Sequence, residues 1–383
     1  MKIVMDFRKY DGVIGGVERG VLNITTYMAS NGHQVVLLPK EGRLDDVKEK
    51  MKGCPNVKLI PLHVRSHVMS VKNAYLDSVT IQDIARAEKA DIIHFPYNWS
   101  FPFRKQVPCI LTVHDVIPLT FREAMGFFTN YFLYRPGIRT ATRLNDVVAT
   151  VSDFSKKDIE VKLGVPEAKI KVIPNGLRQP HEPSETLEAE LVARYDLKKG
   201  FLLYVGGIHE RKNVARLVRA FSKVVHMSGF EGRLLITGSV SGAPYQVKMK
   251  KLCDAAVRES GMEKRVVFTG FVSDQELDTL MRLALFLVYP SLYEGFGIPI
   301  LEAMRIGTPV ITSNLTAMPE VAGGAALMVN PHQVDDIAFA MSRLLQDNEL
   351  KRELVMKGKE RAVSFSWERT AEEYLRLYKG IAA

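Results

Sequence analysis

The sequence predicts an α/β protein made of two doubly wound, parallel-sheet domains, and three observations support that reading. Its 383 residues exceed the roughly 250–300 at which one hydrophobic core stops growing. Short apolar runs alternate with amphipathic stretches, the rhythm of βαβ units. That rhythm breaks over a polar, acidic stretch at residues 179–190 and then starts again.

Taken in order, residues 3–5, 35–38, 92–94, 110–113 and 147–151 are short apolar runs followed by turn residues or helical patterns, as expected of buried strands. After a joint near residues 174–184, residues 201–205, 233–237, 266–269, 285–289 and 310–312 have the same character. Domains of residues 1–178 and 179–367 follow. Residues 366–378 carry Trp367, Tyr374, Leu375 and Leu377 among charged side chains and read as an amphipathic helix. It is expected either to close the second domain or, as residues 368–383, to cross back to the first.

Apolar residues make up 46% and charged residues 25%, which excludes a disordered or fibrous chain. Lys and Arg (52) outnumber Asp and Glu (43), a formal charge of +9 that favours an anionic partner: nucleic acid, an acidic lipid surface or a phosphorylated small molecule. Cys54, Cys109 and Cys253 are far apart and lack any Cys-x-x-Cys spacing, so neither a disulfide framework nor a zinc site is expected and a reducing cytosol fits. Asp6 and Arg8 interrupt the N-terminal apolar stretch, and the best apolar run ends at Pro290. No signal peptide or membrane span is expected.

The most informative segment covers residues 289–304. A strand ends at Tyr289, and a helix is expected from Pro299, because proline's missing N–H is one of those unused at a helix start. Gly295 and Gly297 let backbone approach a ligand, and the N–H groups around Gly295, Phe296, Gly297 and Ile298 suit an anion. Glu302 lies one turn into the helix, and Glu294 sits at the strand's carboxyl end, where open α/β sheets bind ligands. Two glutamates at that spacing are common by chance; the Gly-Phe-Gly-x-Pro context gives the pattern its specificity.

Other segments sit at equivalent strand ends. Gly206, Gly207, Arg211 and Lys212 follow residues 201–205, and two fixed cations there suit a diphosphate leaving group. Gly15 and Gly16 form a glycine turn after the first strand, without the Gly-x-Gly-x-x-Gly pattern of dinucleotide-binding domains. His114 and Asp115 end the strand at 110–113. Ser152 reads as a helix N-cap. Tyr97 and Trp99, and the aromatic-rich residues 121–134 with Arg122, Arg135 and Arg139, read as core, as an acceptor groove or as a shallow membrane-contact surface.

Glu294-x7-Glu302 with its loop resembles the signature of retaining, nucleotide-sugar-dependent group 1 glycosyltransferases, mannosyltransferase-like, with the GT-B fold of two facing Rossmann-like domains and an interdomain cleft. Residues 204–213, 267–272 and 172–176 resemble that family's glycine turn with its Arg-Lys pair, its base-contacting strand and loop, and its hinge. The resemblance departs at Gly207, where the family often carries a polar or basic phosphate contact. It implies catalytic roles for Glu294, Arg211, Lys212 and His114. Donor contacts are implied at Gly15, Gly16, Gly206, Val272, Gly295, Phe296, Gly297, Ile298 and Glu302, and acceptor contacts at Asp115, Tyr97 and Trp99. His-Asp-x-Ile-Pro at residues 114–118 is similar to mannosyltransferases that extend bacterial polysaccharides, implying GDP-mannose as donor with UDP-sugars as the alternative.

The implied acceptor is a saccharide or lipid-linked saccharide, reached in the cytoplasm with peripheral contact at an anionic membrane. No Asp-x-Asp occurs, so metal-independent transfer without a cofactor is expected. A nucleic-acid-binding protein is disfavoured, since no basic run of five or more stands out. An epimerase or phosphorylase of the same architecture is the remaining competitor.

Overall fold

The computed structural model describes residues 1–64, 71–121, 125–126, 128–238, 240 and 242–382; Arg122 lies outside them. The chain forms two compact units. The first comprises Met1–Leu119, Met125–Gly176 and Phe365–Ala383, and the second chiefly Leu177–Ser364.

The first unit is built on seven strands: β1 (Lys2–Phe7), β2 (Gln34–Pro39), β3 (Val57–Leu59), β4 (Ile92–Phe95), β5 (Cys109–Thr112), β6 (Val147–Thr150) and β7 (Ile170–Val172). All pair in parallel in the order β3-β2-β1-β4-β5-β6-β7. Ile3, Val4, Met5 and Phe7 are all fully buried, because both faces of a parallel sheet are covered by its crossover connections. The order reverses between β1 and β4, and loops leaving the carboxyl ends on either side of such a reversal form the usual ligand crevice.

The second unit carries β8 (Phe201–Val205), β9 (Arg233–Thr237), β10 (Val266–Gly270), β11 (Phe286–Tyr289), β12 (Val310–Ser313) and β13 (Leu327–Val329). Their order is β10-β9-β8-β11-β12-β13, again parallel, with the reversal between β8 and β11. Three strands carry no sequence expectation: β3, β7 and β13. Each is three residues long and lies at a sheet edge; Lys58 and Lys171 interrupt β3 and β7, while Leu327–Val329 is apolar but too short to stand out as a strand.

Local signals hold where they rest on named atoms. Ser152 caps the helix Asp153–Leu163, its hydroxyl accepting from Ser155 N at 3.0 Å. The C-terminal helix, Trp367–Ala382, belongs to the first unit: Ala371, Tyr374 and Tyr378 share a core with Ile3, Met5, Phe7, Ile24 and Met28. The chain leaves this unit at Gly176 and returns beside it. A Cβ on Gly176 would lie 2.4 Å from Trp367 N, so the two crossings meet where only glycine fits.

A buried polar chain fixes the returning helix. Tyr378 Oη lies 2.7 Å from His94 Nδ1, His94 Nε2 lies 2.7 Å from Thr112 Oγ1, and Thr112 Oγ1 lies 3.0 Å from Tyr374 Oη. His94 is 1% exposed, and burial, assisted by His114, pushes its pKa down to about 3. A neutral imidazole supplies one donor and one acceptor, which suits two hydroxyl partners.

This fixes the sign of a pH dependence. Between pH ~6.5 and 3 the unfolded chain protonates His94 while the native state does not, so stability falls as pH falls through that window. At pH 5 His94 should account for a loss of about 2 kcal/mol relative to pH 7.5. Denaturant titrations at both pH values should show that loss diminished in His94→Gln, whatever the variant's overall stability.

Candidate active site

In the second unit the loops after β8 and β11 flank the reversal in strand order. After β11 the backbone turns through residues 290–297 and enters the helix Ile298–Ile306, with Gly297 as its N-cap at φ 107° and a proline in the first turn. That φ favours glycine. After β8, Gly206 has φ 137°, and a Cβ there would sit 3.6 Å from Lys212 Nζ. The loop closes through Asn213, in the left-handed region at φ 63°, whose side-chain amide donates to Pro290 O at 3.0 Å and Pro331 O at 2.7 Å. Leu292 N donates to Arg211 O at 2.6 Å. The two loops are therefore held together by a backbone hydrogen bond and the neutral Asn213 amide before any charged side chain is considered.

The charges add a second tie. Glu294 is 7% exposed. Its Oε2 lies 2.8 Å from Arg211 Nη1 and its Oε1 lies 2.6 Å from Lys212 Nζ. Tyr289 Oη donates to Glu294 Oε1 at 3.1 Å, while Lys212 Nζ donates to Tyr289 Oη and lies 4.6 Å over its ring. Burial alone raises a carboxyl pKa, but Lys212 and Arg211 outweigh it and hold Glu294 below the usual range. Burial, followed by the Glu294 charge, drives the Tyr289 phenol well above its ordinary value. Two cations and one carboxylate thus meet beside a neutral phenol. Glu294 N donates to Thr316 Oγ1 at 3.2 Å, and Thr316 holds φ 58°, a strained value for a β-branched residue.

The second glutamate lies within another ionic chain. Glu302 Oε1 is 3.5 Å from Arg178 Nε, and Arg178 Nη1 donates to Asp278 Oδ2 at 2.6 Å. His181 N also donates to Asp278 Oδ2, at 2.8 Å. Burial raises the Asp278 pKa, but Arg178 and His181 together bring it below the ordinary value. Val272 lies just beyond β10, next to Phe271, which is 81% exposed.

In the first unit, Gly15 caps the helix Gly16–Ser30, and its N–H donates to Glu18 Oε2 at 3.1 Å. An internal carboxylate thus holds one N–H that the sequence reserves for an anion. Glu18 Oε1 also accepts from Tyr97 Oη at 3.4 Å. His114 is partly buried, and its Nε2 lies 3.2 Å from Pro96 O. A carbonyl cannot donate, so Nε2 carries the proton and Nδ1 is the acceptor. Burial lowers the His114 pKa to about 4, against the opposing hydrogen bond to Pro96. Asp115 Oδ1 accepts from Ile117 N at 3.0 Å. Trp99 packs on Tyr134 and Phe101, with ring centroids 5.3 and 5.9 Å away, which makes it a wall of the core.

Sequence reasoning assigned no role to Tyr289, Asn213, Thr316, Arg178, Asp278 or Lys9. The first two stood inside recognised motifs; the others had no motif around them. Lys9 Nζ lies 5.0 Å over the Tyr97 ring, and burial pushes its pKa down to about 8. Among the described residues no three His, Cys, Asp or Glu side chains are grouped so as to hold a metal ion. No described helix is long and apolar enough to cross a membrane.

The model described as Glycosyl transferases group 1 matches residues 191–361, and Glycosyltransferase Family 4 matches residues 14–178. The chain is 33% identical over 293 residues to O-antigen chain mannosyltransferase B of Escherichia coli, covering 76% of this chain and 74% of that protein. It is 27% identical over 320 residues to the serotype-specific mannosyltransferase WbdA of Escherichia coli, covering 81% of this chain but 38% of that longer protein. Among solved structures, a glycosyltransferase from Rickettsia africae superposes with a TM-score of 0.77 at 19% identity, over 99% of this chain and 98% of that one. Anabaena Alr3699/HepE in complex with UDP and glucose superposes at 0.75 and 17% identity, over 99% and 100%. These likenesses place the two Rossmann-like units in the GT-B fold, and the sequence matches across both halves show that the chain belongs to the group 1 glycosyltransferases.

Proposed function

We propose that the protein transfers mannose from GDP-mannose to a saccharide or lipid-linked acceptor in polysaccharide or glycolipid synthesis, with retention at the anomeric carbon and without a metal ion. The observation that carries this reading is the Arg211–Lys212–Glu294 cluster at the sheet reversal, two cations and one carboxylate largely withdrawn from water. The mannosyltransferase names of the Escherichia coli relatives support the sugar. A UDP-sugar donor is the second reading, favoured by the neighbour solved with UDP and glucose.

In this reading the donor diphosphate takes Arg211 and Lys212, displacing Glu294 towards the sugar. Preorganised cations stabilise the charge that grows on the leaving group, and they act strongly because water is largely excluded. Glu302, beside Arg178, accepts from the ribose hydroxyls. The backbone at Val272 meets the base, and N–H groups of Gly295, Phe296, Gly297 and Ile298 meet phosphate or sugar oxygens beside Gly206. Gly15 and Gly16 offer further N–H groups once Glu18 is displaced. His114 Nδ1 accepts from a sugar hydroxyl. The acceptor hydroxyl attacks the anomeric carbon from the face the diphosphate leaves. Its proton passes to the departing phosphate oxygen, so no separate base is required. Tyr97 and Asp115 are the acceptor candidates; Trp99 serves packing. The reaction runs on the cytoplasmic side of an anionic membrane that the protein touches peripherally.

Four sets of measurements test the reading. In Glu294→Gln, transfer should fall at least about a hundredfold. GDP should bind that variant as tightly as wild type or tighter, because the amide releases both cations; a matched loss of GDP affinity and transfer would contradict the role. Arg211→Ala and Lys212→Ala should each weaken GDP by roughly tenfold or more in calorimetry, the cost of one charge-assisted contact. In thermal-shift titrations GDP should raise the melting temperature more than UDP does; the reverse order selects the second reading. NMR of the product, with and without a chelator, then reads anomeric configuration and metal dependence.

A further inference from the structure

Phe128, Tyr131, Phe132 and Leu133 are 73%, 53%, 60% and 53% exposed, four large apolar side chains on one short stretch of the first unit. The aromatic rings pack on one another, Phe128 stacking on Phe132 at 6.0 Å and Tyr131 meeting Phe132 edge-on at 5.1 Å. The stretch continues through the wide turn Thr129–Tyr134 into the helix Arg135–Leu144. Tyr134, Ile138 and Ala141 anchor the inner face in the core. On the outer face Arg135, Arg139 and Arg143, at four-residue spacing, line a groove of about 590 Å³ with Tyr131 and Phe132.

None of the three guanidiniums is paired with a carboxylate among the described residues. Arg139 Nη2 reaches Lys162 O at 3.4 Å, while its Nε is buried without a hydrogen-bond partner.

We propose that this face docks the protein on an anionic phospholipid surface, with the aromatic stretch at the headgroup boundary and the arginine groove taking lipid phosphates. Aromatic and aliphatic side chains beside a cationic row match the interfacial layer of a bilayer, apolar below and negatively charged above. A second copy of the chain fits worse, because a two-fold contact would bring both arginine rows together. This deepens the membrane contact in the proposed function, and it is read without donor or acceptor, so its failure and the failure of the transfer reading are distinguishable.

The test is sedimentation of the full chain with vesicles of phosphatidylcholine, alone or mixed with phosphatidylglycerol, at low and high salt. Binding should require phosphatidylglycerol and weaken with salt. Replacing Arg135, Arg139 and Arg143 by Gln should lower it by about fivefold per charge, roughly a hundredfold in all. The Phe132→Trp variant should show blue-shifted emission on adding the mixed vesicles, and Phe128→Ser with Phe132→Ser should lower binding more than tenfold, with melting temperatures unchanged. Three results overturn the proposal. The arginine variant binds as wild type does, the emission shift of the vesicle-bound Phe132→Trp variant is absent, or sedimentation velocity shows a dimer that the serine variant abolishes.

Discussion

Glu294 retains its charge at 7% exposure because Arg211 and Lys212 share it, and the candidate site depends on that pairing. Taking a carboxylate out of water costs several kcal/mol unless the partners' geometry compensates. Here the partners come from the loop after β8 and the carboxylate from the loop after β11. The positive φ angles of Gly206, Asn213, Gly297 and Thr316 are the backbone's accommodation to it. The meeting of two cations on one carboxylate is then a property of the assembled site.

The first unit also buries a polar network, one built from neutral groups. His94, Thr112, Tyr374 and Tyr378 satisfy one another through hydrogen bonds, and burial keeps the imidazole neutral. A hydroxyl chain of this kind tolerates burial at lower cost than an ion pair, and it specifies where the returning helix sits.

The net charge of +9 therefore has no single meaning. Arg211 and Lys212 share Glu294, and Arg178 pairs with Asp278 and Glu302. Arg135, Arg139 and Arg143 remain on an outer face beside exposed aromatics. Buried cations govern affinity for a small anion, while exposed ones govern attraction to extended surfaces, where salt screens them.

Local signals along the chain are enough for the class of fold, for ten of the thirteen described strands and for the motif carrying Glu294, because those depend on continuous apolar runs, glycine turns and a proline at a helix start. Edge strands β3, β7 and β13 escaped because three residues are too few to display a period. The sequence leaves two destinations for residues 367–382, and the folded chain decides for the first unit, since an amphipathic helix specifies an apolar face and not which core receives it. The same holds for Glu18 occupying the Gly15 N–H, for Trp99 as a core wall, and for Arg178 and Asp278 standing behind Glu302. Asp278 lies 100 residues beyond Arg178, and nothing in either residue's neighbours announces the other. Pairing between buried charges is set by the sheet that brings distant loops together, and that convergence has no counterpart in the local order of the chain.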